Sequence, residues 1–247
     1  MRYLILSDIH ANLDALEEVL LRATAIGYDR LLVLGDLVGY GGQPNEVVER
    51  IRSLAPFSII RGNHDRVAAG VEDAEGFNPI AQEAAEWTLR TLTPENRAYL
   101  SSCPPGPVFV DAVTEICHGS PDDEDVYITS ELAALHALKE AQRPVCFYGH
   151  THIPAAFRLT DTAFDLIPPE SDEEQKIEIE RGCQYLINPG SVGQPRDGDP
   201  RAAFAMFEPE SAVVELYRIA YPVERAQEKI LKAGLPQALA RRLAIGR

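Results

Sequence analysis

The first third of the chain alternates between short apolar runs and segments with helical periodicity. The three apolar runs have the length of strands, and the second helical segment begins after a proline, Pro44. A strand–helix–strand–helix–strand order predicts parallel strands joined by right-handed crossovers, and therefore an α/β layered fold. The predicted strands are Tyr3–Ser7, Arg30–Gly35 and Phe57–Gly62.

The remaining pattern predicts a helical segment, a series of strands and a helical tail. Residues 78–102 are expected to be helical, because Asn78-Pro79 is typical of a helix start and Ile80, Ala84 and Trp87 share one face. A helix is also expected at 130–141, and the tail at 223–244 is again helical. We find no internal repeat or convincing linker, so we expect one domain over residues 1–247. Strands are predicted at 108–110, 114–117, 145–148, 155–159, 163–167, 176–180, 185–187, 202–207 and 212–219.

The charge of the chain restricts its partners. Asp and Glu total 38 against 23 Lys and Arg, which gives a formal charge of −15. Such a surface repels nucleic acid polymers and anionic membranes, so we expect neither as a partner. No apolar run approaches the about 18 residues of a membrane span, and the four cysteines form no Cys-x-x-Cys pair, so we expect a cytoplasmic protein. A bound phosphate would need local positive charge, and a metal is the obvious source.

Candidate chemistry is concentrated where the predicted strands end. Five of the six histidines occur in short polar clusters that directly follow a strand. Because ligands of α/β sheets bind outside the carboxyl ends of the strands, we expect these clusters to converge on one crevice. The clusters are Asp8-Ile9-His10, Gly35-Asp36, Gly62-Asn63-His64-Asp65, His118-Gly119 and Gly149-His150-Thr151-His152.

The donor atoms in these clusters are carboxylates, an amide oxygen and imidazoles, with no thiolate. Mixed nitrogen and oxygen donors suit Mn, Fe, Zn or Co, and argue against a calcium cage or a cysteine zinc site. The donors are too many for one tetrahedral ion. We therefore expect two divalent ions about 3.5–4 Å apart that share a bridging carboxylate. Such a pair binds a phosphoryl group despite the negative charge of the chain.

The five clusters together resemble the motif set of the calcineurin-like metallophosphoesterases. The later segment Asn188-Pro189-Gly190-Ser191-Val192-Gly193 resembles a loop of the bacterial and archaeal phosphodiesterase-like branch, so the similarity covers most of the chain. The resemblance implies two mixed β-sheets packed as a sandwich and flanked by helices, with a two-metal site at one edge. It also implies hydrolysis of a phosphate ester through attack by a metal-bridging hydroxide.

The resemblance also implies a role for each matching residue. Asp36 would bridge the two metals. His64 would not be a ligand; it would face the substrate and help to protonate the leaving oxygen. The other ligands implied are Asp8, His10 and His152 for the first metal, and Asn63, His118 and His150 for the second.

One departure from the family pattern bears on the substrate. The serine/threonine protein phosphatases of this superfamily carry Asp-Arg shortly after the bridging aspartate, whereas Gly39-Tyr40 occurs here, and Asp65 replaces their glutamate. We therefore expect a small phosphodiester or phosphomonoester substrate, and the residue that orients His64 stays unidentified. The alternatives are hydrolysis of a dinucleoside polyphosphate or a phosphoprotein, or a non-catalytic scaffold on the same fold.

Arginines are candidates for binding substrate phosphate, because one guanidinium can pair with two oxygens. Arg196 lies in a glycine-rich loop, and its competing interpretation is a surface ion pair with Asp197 or Asp199. The acidic run at 122–125 is expected to be a solvated loop. His136 lies in a helical pattern and is expected to have a structural or surface role. The candidate arginines are Arg61, Arg66 and Arg196.

Overall fold

The computed structural model describes residues 1–170 and 172–247, and these form two β-sheets flanked by helices. The strands are β1 (Tyr3–Leu6), β2 (Arg30–Val33), β3 (Ser58–Ile59), β4 (Val108–Phe109), β5 (Thr114–Ile116), β6 (Val145–Phe147), β7 (Ala155–Leu159), β8 (Phe164–Ile167), β9 (Glu174–Glu178), β10 (Gln184–Asn188), β11 (Ala202–Glu208) and β12 (Val213–Ile219). The helices are α1 (Leu13–Ile26), α2 (Pro44–Ser53), α3 (Asn63–Ala69), α4 (Pro79–Thr91), α5 (Pro94–Ser102), α6 (Glu131–Glu140), α7 (Val223–Lys232) and α8 (Gln237–Leu243).

Each sheet has six strands and mixes parallel with antiparallel pairs. The first has the order β3-β2-β1-β11-β12-β9, and its first three strands are parallel, as the alternating pattern predicts. The second has the order β4-β5-β6-β10-β7-β8, with β5, β6 and β10 parallel. The predicted α/β class with two mixed, helix-flanked sheets is confirmed.

The two faces of β1 show how the layers are built. Tyr3 and Ile5 belong to the core between the sheets, together with Phe147 of the second sheet. Leu4 and Leu6 point the other way and join the core between the first sheet and its helices. Because side chains alternate across a strand, a continuous apolar run is required when both faces are covered. A third apolar cluster lies between the second sheet and α6.

The helical segment at 78–102 consists of two helices rather than one. Asn78 caps α4 by accepting a hydrogen bond from the backbone N–H of Ala81, and Thr93 caps α5 in the same way. Pro94 follows that second cap and takes the first position of α5. The predicted face is wrong at Ile80, which is exposed, whereas Ala84 is buried and Trp87 packs partly buried against the core; the buried positions are Ala81, Ala84, Ala85 and Thr88.

The third predicted strand is also shorter than expected. Only Ser58–Ile59 is strand, and α3 begins at Asn63, directly after Gly62. The Asp65 carboxylate accepts a hydrogen bond from the Gly62 N–H at 3.1 Å, which stabilises the start of the helix. The asparagine–histidine motif therefore lies in the first turn of a helix.

The helical tail packs on the first sheet's helices. Lys229 of α7 pairs with buried Asp14 of α1 at 2.6 Å, and Gln227 donates a hydrogen bond to the Ala240 carbonyl of α8. Among the described residues, no helix is both long and apolar enough to cross a bilayer. The organisation as one domain stays a prediction.

Candidate metal centre

The polar clusters meet at one edge of the two sheets, as their positions after strands predict. Non-glycine residues rarely adopt positive φ, at a cost of about 1 kcal/mol or more, and such residues concentrate at functional sites. Here the surrounding strands and loops hold several cluster residues in that conformation. They are Asp8 (φ 53°), His10 (49°), Asp36 (53°), His150 (66°) and His152 (61°).

Two groups of candidate ligands share one carboxylate, that of Asp36. In each group, the ligand atoms all lie within 4.8 Å of one another. Nε2 of His10 and Nε2 of His118 lie 3.6 and 3.4 Å from the Asp36 Oδ2 atom. The first group is Asp8, His10, Asp36 and His152, and the second is Asp36, His118 and His150.

Pairs of imidazole nitrogens face each other inside both groups. Nε2 of His10 lies 3.0 Å from Nε2 of His152, and Nδ1 of His150 lies 3.1 Å from Nε2 of His118. Two nitrogen lone pairs at this distance repel unless a proton or a cation lies between them. The arrangement therefore suits a positive charge at each pair.

The outer nitrogen of each of these histidines contacts a backbone carbonyl. Nδ1 of His10, His118 and His152 lies 3.0, 2.7 and 2.7 Å from the carbonyl oxygens of residues 38, 34 and 194. A carbonyl only accepts, so Nδ1 must carry the proton and Nε2 keeps its lone pair directed into the centre. In His150 the roles are reversed, because Nε2 contacts the Asp125 carbonyl.

Asn63 supplies an independent test of whether the site fits metal ions. Its Oδ1 atom is buried and has no hydrogen-bond partner within residues 1–170 and 172–247. A buried acceptor without a partner costs about 1–3 kcal/mol, so native proteins rarely leave one without a reason. A cation at the second group would satisfy this oxygen. The donor set of imidazole, carboxylate and amide oxygen fits divalent transition-metal ions.

Burial controls the charges of the centre. It lowers the pKa of His10 and His152 well below the ordinary range and that of His150 to about 3, which leaves these rings neutral, as metal ligands must be. His118 differs: burial opposes its charge, but the Asp36 carboxylate outweighs that effect and raises the pKa to about 10.

The two carboxylates of the centre differ as well. Burial raises the pKa of Asp8 to about 6, and the charge of Asp36 adds to that effect against the attraction of His118. For Asp36 burial also raises the pKa, but the neighbouring His118 and His64 outweigh it and bring the value well below the ordinary range. Asp36 is therefore the more strongly ionised carboxylate, which suits a ligand shared by two cations.

His64 lies beside both groups and is enclosed by rings. Its centroid is 5.1 Å from His10, 4.4 Å from Tyr40 and 4.7 Å from Phe77. Its Nδ1 atom is buried and makes no hydrogen bond with the part of the chain that the structure describes. Burial lowers its pKa to about 4. Because α3 begins at Asn63, helical geometry separates the directions of the adjacent Asn63 and His64 side chains.

Within residues 1–170 and 172–247, no carboxylate accepts a hydrogen bond from the His64 ring. Asp65 accepts hydrogen bonds from the backbone N–H groups of Val38 and Gly62 at 3.2 and 3.1 Å. Its two oxygens therefore fix the start of α3 against the loop after β2. The backbone of His64 is held from the other side, since its N–H donates to Asp36 Oδ1 at 3.0 Å.

Two of the candidate arginines are occupied by carboxylates. Arg66 pairs with Glu72, Glu124 and Asp125, and Arg61 pairs with Glu124. The acidic run at 122–125 is a loop with three exposed acids, as expected, and its members Glu124 and Asp125 also pair with these arginines. His136 is exposed on α6, 3.0 Å from an Asp122 carboxylate oxygen, in keeping with the surface role expected for it.

Arg196 is placed differently from the other candidates. Asp197 pairs with Arg218 and Asp199 pairs with Arg201, so the surface ion pair considered for Arg196 does not form. Its guanidinium lies over the Tyr40 ring instead. Arg242 of α8 lies over the same ring, and sequence reasoning missed it because the tail carries no motif.

These features have a clear family match. The profile of the calcineurin-like phosphoesterase superfamily domain matches residues 1–212. The chain belongs to that superfamily. The predicted resemblance is thereby confirmed.

Three similar proteins align with 84–100% of this chain. A metallophosphoesterase structure from Sphaerobacter thermophilus superimposes with a TM-score of 0.87 and 41% identity, over 100% of this chain and 99% of that one. The uncharacterized protein MJ0912 of Methanocaldococcus jannaschii is 35% identical over 98% of this chain and 97% of its own. Phosphodiesterase YfcE of Escherichia coli K12 is 29% identical over 84% of this chain and 88% of its own.

Proposed function

We propose that this chain is a two-metal phosphoesterase that hydrolyses a small phosphodiester or phosphomonoester. The observation that carries the proposal is the Asp36 carboxylate, which belongs to both groups of candidate ligands. A shared carboxylate is the usual way to hold two divalent ions close enough to act on one phosphoryl group. The superfamily membership supports the same reaction class.

The proposed ligand set divides around Asp36. Asp8, His10 and His152 would hold the first ion, and Asn63, His118 and His150 would hold the second. The unpartnered Asn63 oxygen supports the second set, and the facing imidazole nitrogens support both. The bound ions supply a water of lowered pKa and neutralise charge on the phosphoryl oxygens. Nitrogen and oxygen donors are compatible with Mn, Fe, Zn or Co.

His64 is the proposed proton donor to the leaving oxygen. It adjoins Asn63 and packs against His10, so its ring lies at the edge of both ligand groups. In the ligand-free protein burial keeps this ring neutral at pH 7. The negative charge of a bound phosphate ester favours the protonated ring, which can give its proton to the leaving oxygen.

A small ester is preferred to a phosphoprotein as the substrate. The relative YfcE bears the name phosphodiesterase, which supports a diester. The arginines on the second-ion side are paired with acids, so they do not offer free charge to an extended phosphopeptide. A substrate with linked phosphates is the second candidate, favoured by the pair of arginines over Tyr40.

We also propose a cytoplasmic location. All four cysteines are free, and Sγ of Cys117 lies only 3.6 Å from Sγ of Cys146 without a bond between them. An oxidising compartment would favour closing such a pair, whereas the cytoplasm keeps thiols reduced.

Metal stoichiometry tests the shared carboxylate directly. The purified chain should be equilibrated with Mn and freed of excess metal, and its content measured by elemental analysis for wild type, Asp36→Asn and Asp165→Asn. Asp165 is an exposed carboxylate of β8 and serves as the control. We expect two ions per chain in wild type and in the control, and a loss at both sites in Asp36→Asn. One tightly held ion that Asp36→Asn does not disturb would refute the two-metal site.

An activity screen then tests the substrate class. The Mn-loaded wild type should be assayed on phosphomonoesters, phosphodiesters and dinucleoside polyphosphates, with Asp36→Asn as the inactive control. Hydrolysis of any of these esters that disappears in Asp36→Asn supports a metallophosphoesterase. A fully metal-loaded chain that hydrolyses none of them would contradict the proposal.

A further inference from the structure

Two arginine side chains meet beside the metal centre without an acidic partner. The guanidinium carbons of Arg196 and Arg242 lie 5.7 and 5.9 Å from the centroid of the Tyr40 ring. Both groups donate a hydrogen bond to Oε1 of Gln194 at 3.2 Å. Within residues 1–170 and 172–247, neither guanidinium has a carboxylate at ion-pair distance. Two cations thus share one neutral acceptor.

This arrangement costs free energy unless an anion joins it. Like charges repel, and burial together with the charge of Arg196 lowers the pKa of Arg242. The chain has more carboxylates than basic groups, yet Asp197 and Asp199, which are nearest in sequence to Arg196, pair with Arg218 and Arg201. The Nε atom of Arg196 is also buried and has no hydrogen-bond partner in the part of the chain that the structure describes. Unpaired guanidinium donors in a half-buried position are typical of an anion-binding site.

The arginine pair adjoins the first ligand group through several contacts. The Tyr40 ring beneath both guanidiniums lies 4.8 Å from the His10 ring and 4.4 Å from the His64 ring. Gln194 is 1% exposed, and its backbone carbonyl contacts Nδ1 of His152 at 2.7 Å. The residue that positions His152 therefore also positions both arginines.

We propose that Arg196 and Arg242 form a second phosphoryl subsite, next to the phosphoryl group held at the metal centre. The substrate class that this favours carries two linked phosphoryl groups, as in a pyrophosphate-bridged ester. The inference deepens the proposed function and rests on it for the position of the group that is cleaved. Two divalent ions at the metal centre would balance the charge of that group, which would leave the guanidiniums available for a neighbouring phosphate.

The helical tail is what brings Arg242 to the site. Arg242 belongs to α8, which follows the residues that the superfamily profile matches. The Gly198 N–H donates to the Gly246 carbonyl at 2.9 Å, which ties the end of the chain to the Arg196 loop. The Ala240 carbonyl is held by Gln227, and α7 is anchored by the Lys229–Asp14 ion pair. The tail therefore adds an anion contact that the five motifs lack.

Binding of inorganic pyrophosphate tests the subsite without relying on turnover. The Mn-loaded full chain should be titrated calorimetrically with pyrophosphate and with phosphate, and its metal content measured before and after to exclude metal stripping. The variants are Arg242→Ala, Arg242→Lys and the control Arg241→Ala. Arg241 is an exposed neighbour on the same helix.

We expect Arg242→Ala to weaken pyrophosphate binding about tenfold to hundredfold, the worth of a charge-assisted hydrogen bond. Phosphate binding should weaken less than about threefold, since the metal centre supplies most of it. Arg242→Lys keeps the charge and should fall between wild type and alanine, and Arg241→Ala should match wild type. The proposed subsite would be overturned if Arg242→Ala lost the same affinity for phosphate as for pyrophosphate, or if Arg242→Ala and Arg241→Ala bound pyrophosphate equally well.

The outcomes separate this subsite from the proposed function. If the wild type hydrolyses simple esters while pyrophosphate binding is independent of Arg242, only the subsite fails. If pyrophosphate binding depends on Arg242 but the wild type hydrolyses no ester, the proposed activity fails and the anion site stands.

Discussion

Gly39 lies directly against the imidazole of His64. A Cβ atom on Gly39 would be 2.5 Å from Nδ1 of His64 and 2.9 Å from its Cγ, closer than any real contact. The Gly39 φ of +91° also lies in the region that side chains rarely adopt. Among the described residues this nitrogen has no hydrogen-bond partner, so packing against the Gly39 backbone and against Tyr40 and Phe77 holds the ring.

The first prediction uses this contact. Gly39→Ala should displace the His64 ring and lower kcat at least about tenfold, because general acid catalysis is worth about 10²–10⁴ and depends on position. Metal content should stay near two ions, because the atoms nearest to an added Cβ at Gly39 belong to His64, which is not a proposed ligand. The measurements are kcat on an unactivated ester and elemental analysis.

Gly27→Ala is the matched control. Gly27 has a φ of +90°, and a Cβ there meets nothing within 4 Å. Both variants should lose about 1 kcal/mol or somewhat more in unfolding free energy from backbone strain, and only Gly39→Ala should lose turnover. Equal kcat values for the two variants would show that the contact does not position His64.

The second prediction separates metal binding from catalysis at two histidines. His64→Ala should keep wild-type metal content while kcat falls about 10²–10⁴-fold. The loss should be greatest for esters with poor leaving groups, because an activated nitrophenolate scarcely needs a proton in the transition state. His150→Ala should lose metal and activity together. Metal depletion in His64→Ala as severe as in His150→Ala would contradict the assigned roles.

The position of the metal centre could be predicted from the sequence because its residues lie shortly after the ends of strands. Asp8 lies two residues after the end of β1 and Asp36 three residues after the end of β2, and parallel neighbours end at the same edge of a sheet. Order along the chain was therefore enough to bring them together. The same reasoning extends to His118 and His150, which follow β5 and β6.

Features set by packing between distant segments could not be predicted in this way. Arg242 reaches Tyr40 only because α7 and α8 fold back on the helices of the first sheet, and the arginines of the tail belong to no spaced motif. On α4 the sequence pattern places Ile80 on the buried face, whereas the structure buries Ala81, because either residue fits an apolar stripe with Ala84. The arginine partners of the acidic run come from residues about 60 positions away, at Arg61 and Arg66.

The third prediction concerns Arg66, whose guanidinium is 8% exposed and contacts three carboxylates. Arg66→Gln should lower the unfolding free energy by about 1–3 kcal/mol, because Glu124 loses a charged partner in a half-buried site. KM for a small ester should change less than about threefold, since these acids already occupy the guanidinium. Arg158→Gln, which breaks an exposed ion-pair cluster, is the control and should cost less than about 1 kcal/mol.

The effect of Arg66→Gln should depend on pH. Burial opposes ionisation of Glu124, but Arg61 and Arg66 outweigh it and lower its pKa from the ordinary value of 4.5. A lowered carboxyl pKa stabilises the fold above the unfolded value, and that contribution disappears as pH falls through the folded value. The difference between wild type and variant, followed by denaturant unfolding, should therefore be full at pH 7 and shrink below about pH 4.5. A difference that grows on acidification would contradict the ion-pair role.

The fourth prediction follows from coupling between metal binding and stability. A ligand that binds only the folded chain stabilises it by about 2.7 kcal/mol at one hundred times its Kd, which is roughly 5–10 °C in Tm for a chain of this size. Mn should therefore raise the Tm of wild type in a concentration-dependent way, and chelation should reverse the rise. His64→Ala should keep the full gain in Tm because His64 is not a proposed ligand, whereas Asp36→Asn should lose most of it.

Calcium should raise the Tm less than Mn does, because four imidazoles are poor ligands for a hard cation. Thermal unfolding across a metal titration measures all of these, and an unchanged Mn-dependent gain in Asp36→Asn would show that the stabilising ion binds elsewhere.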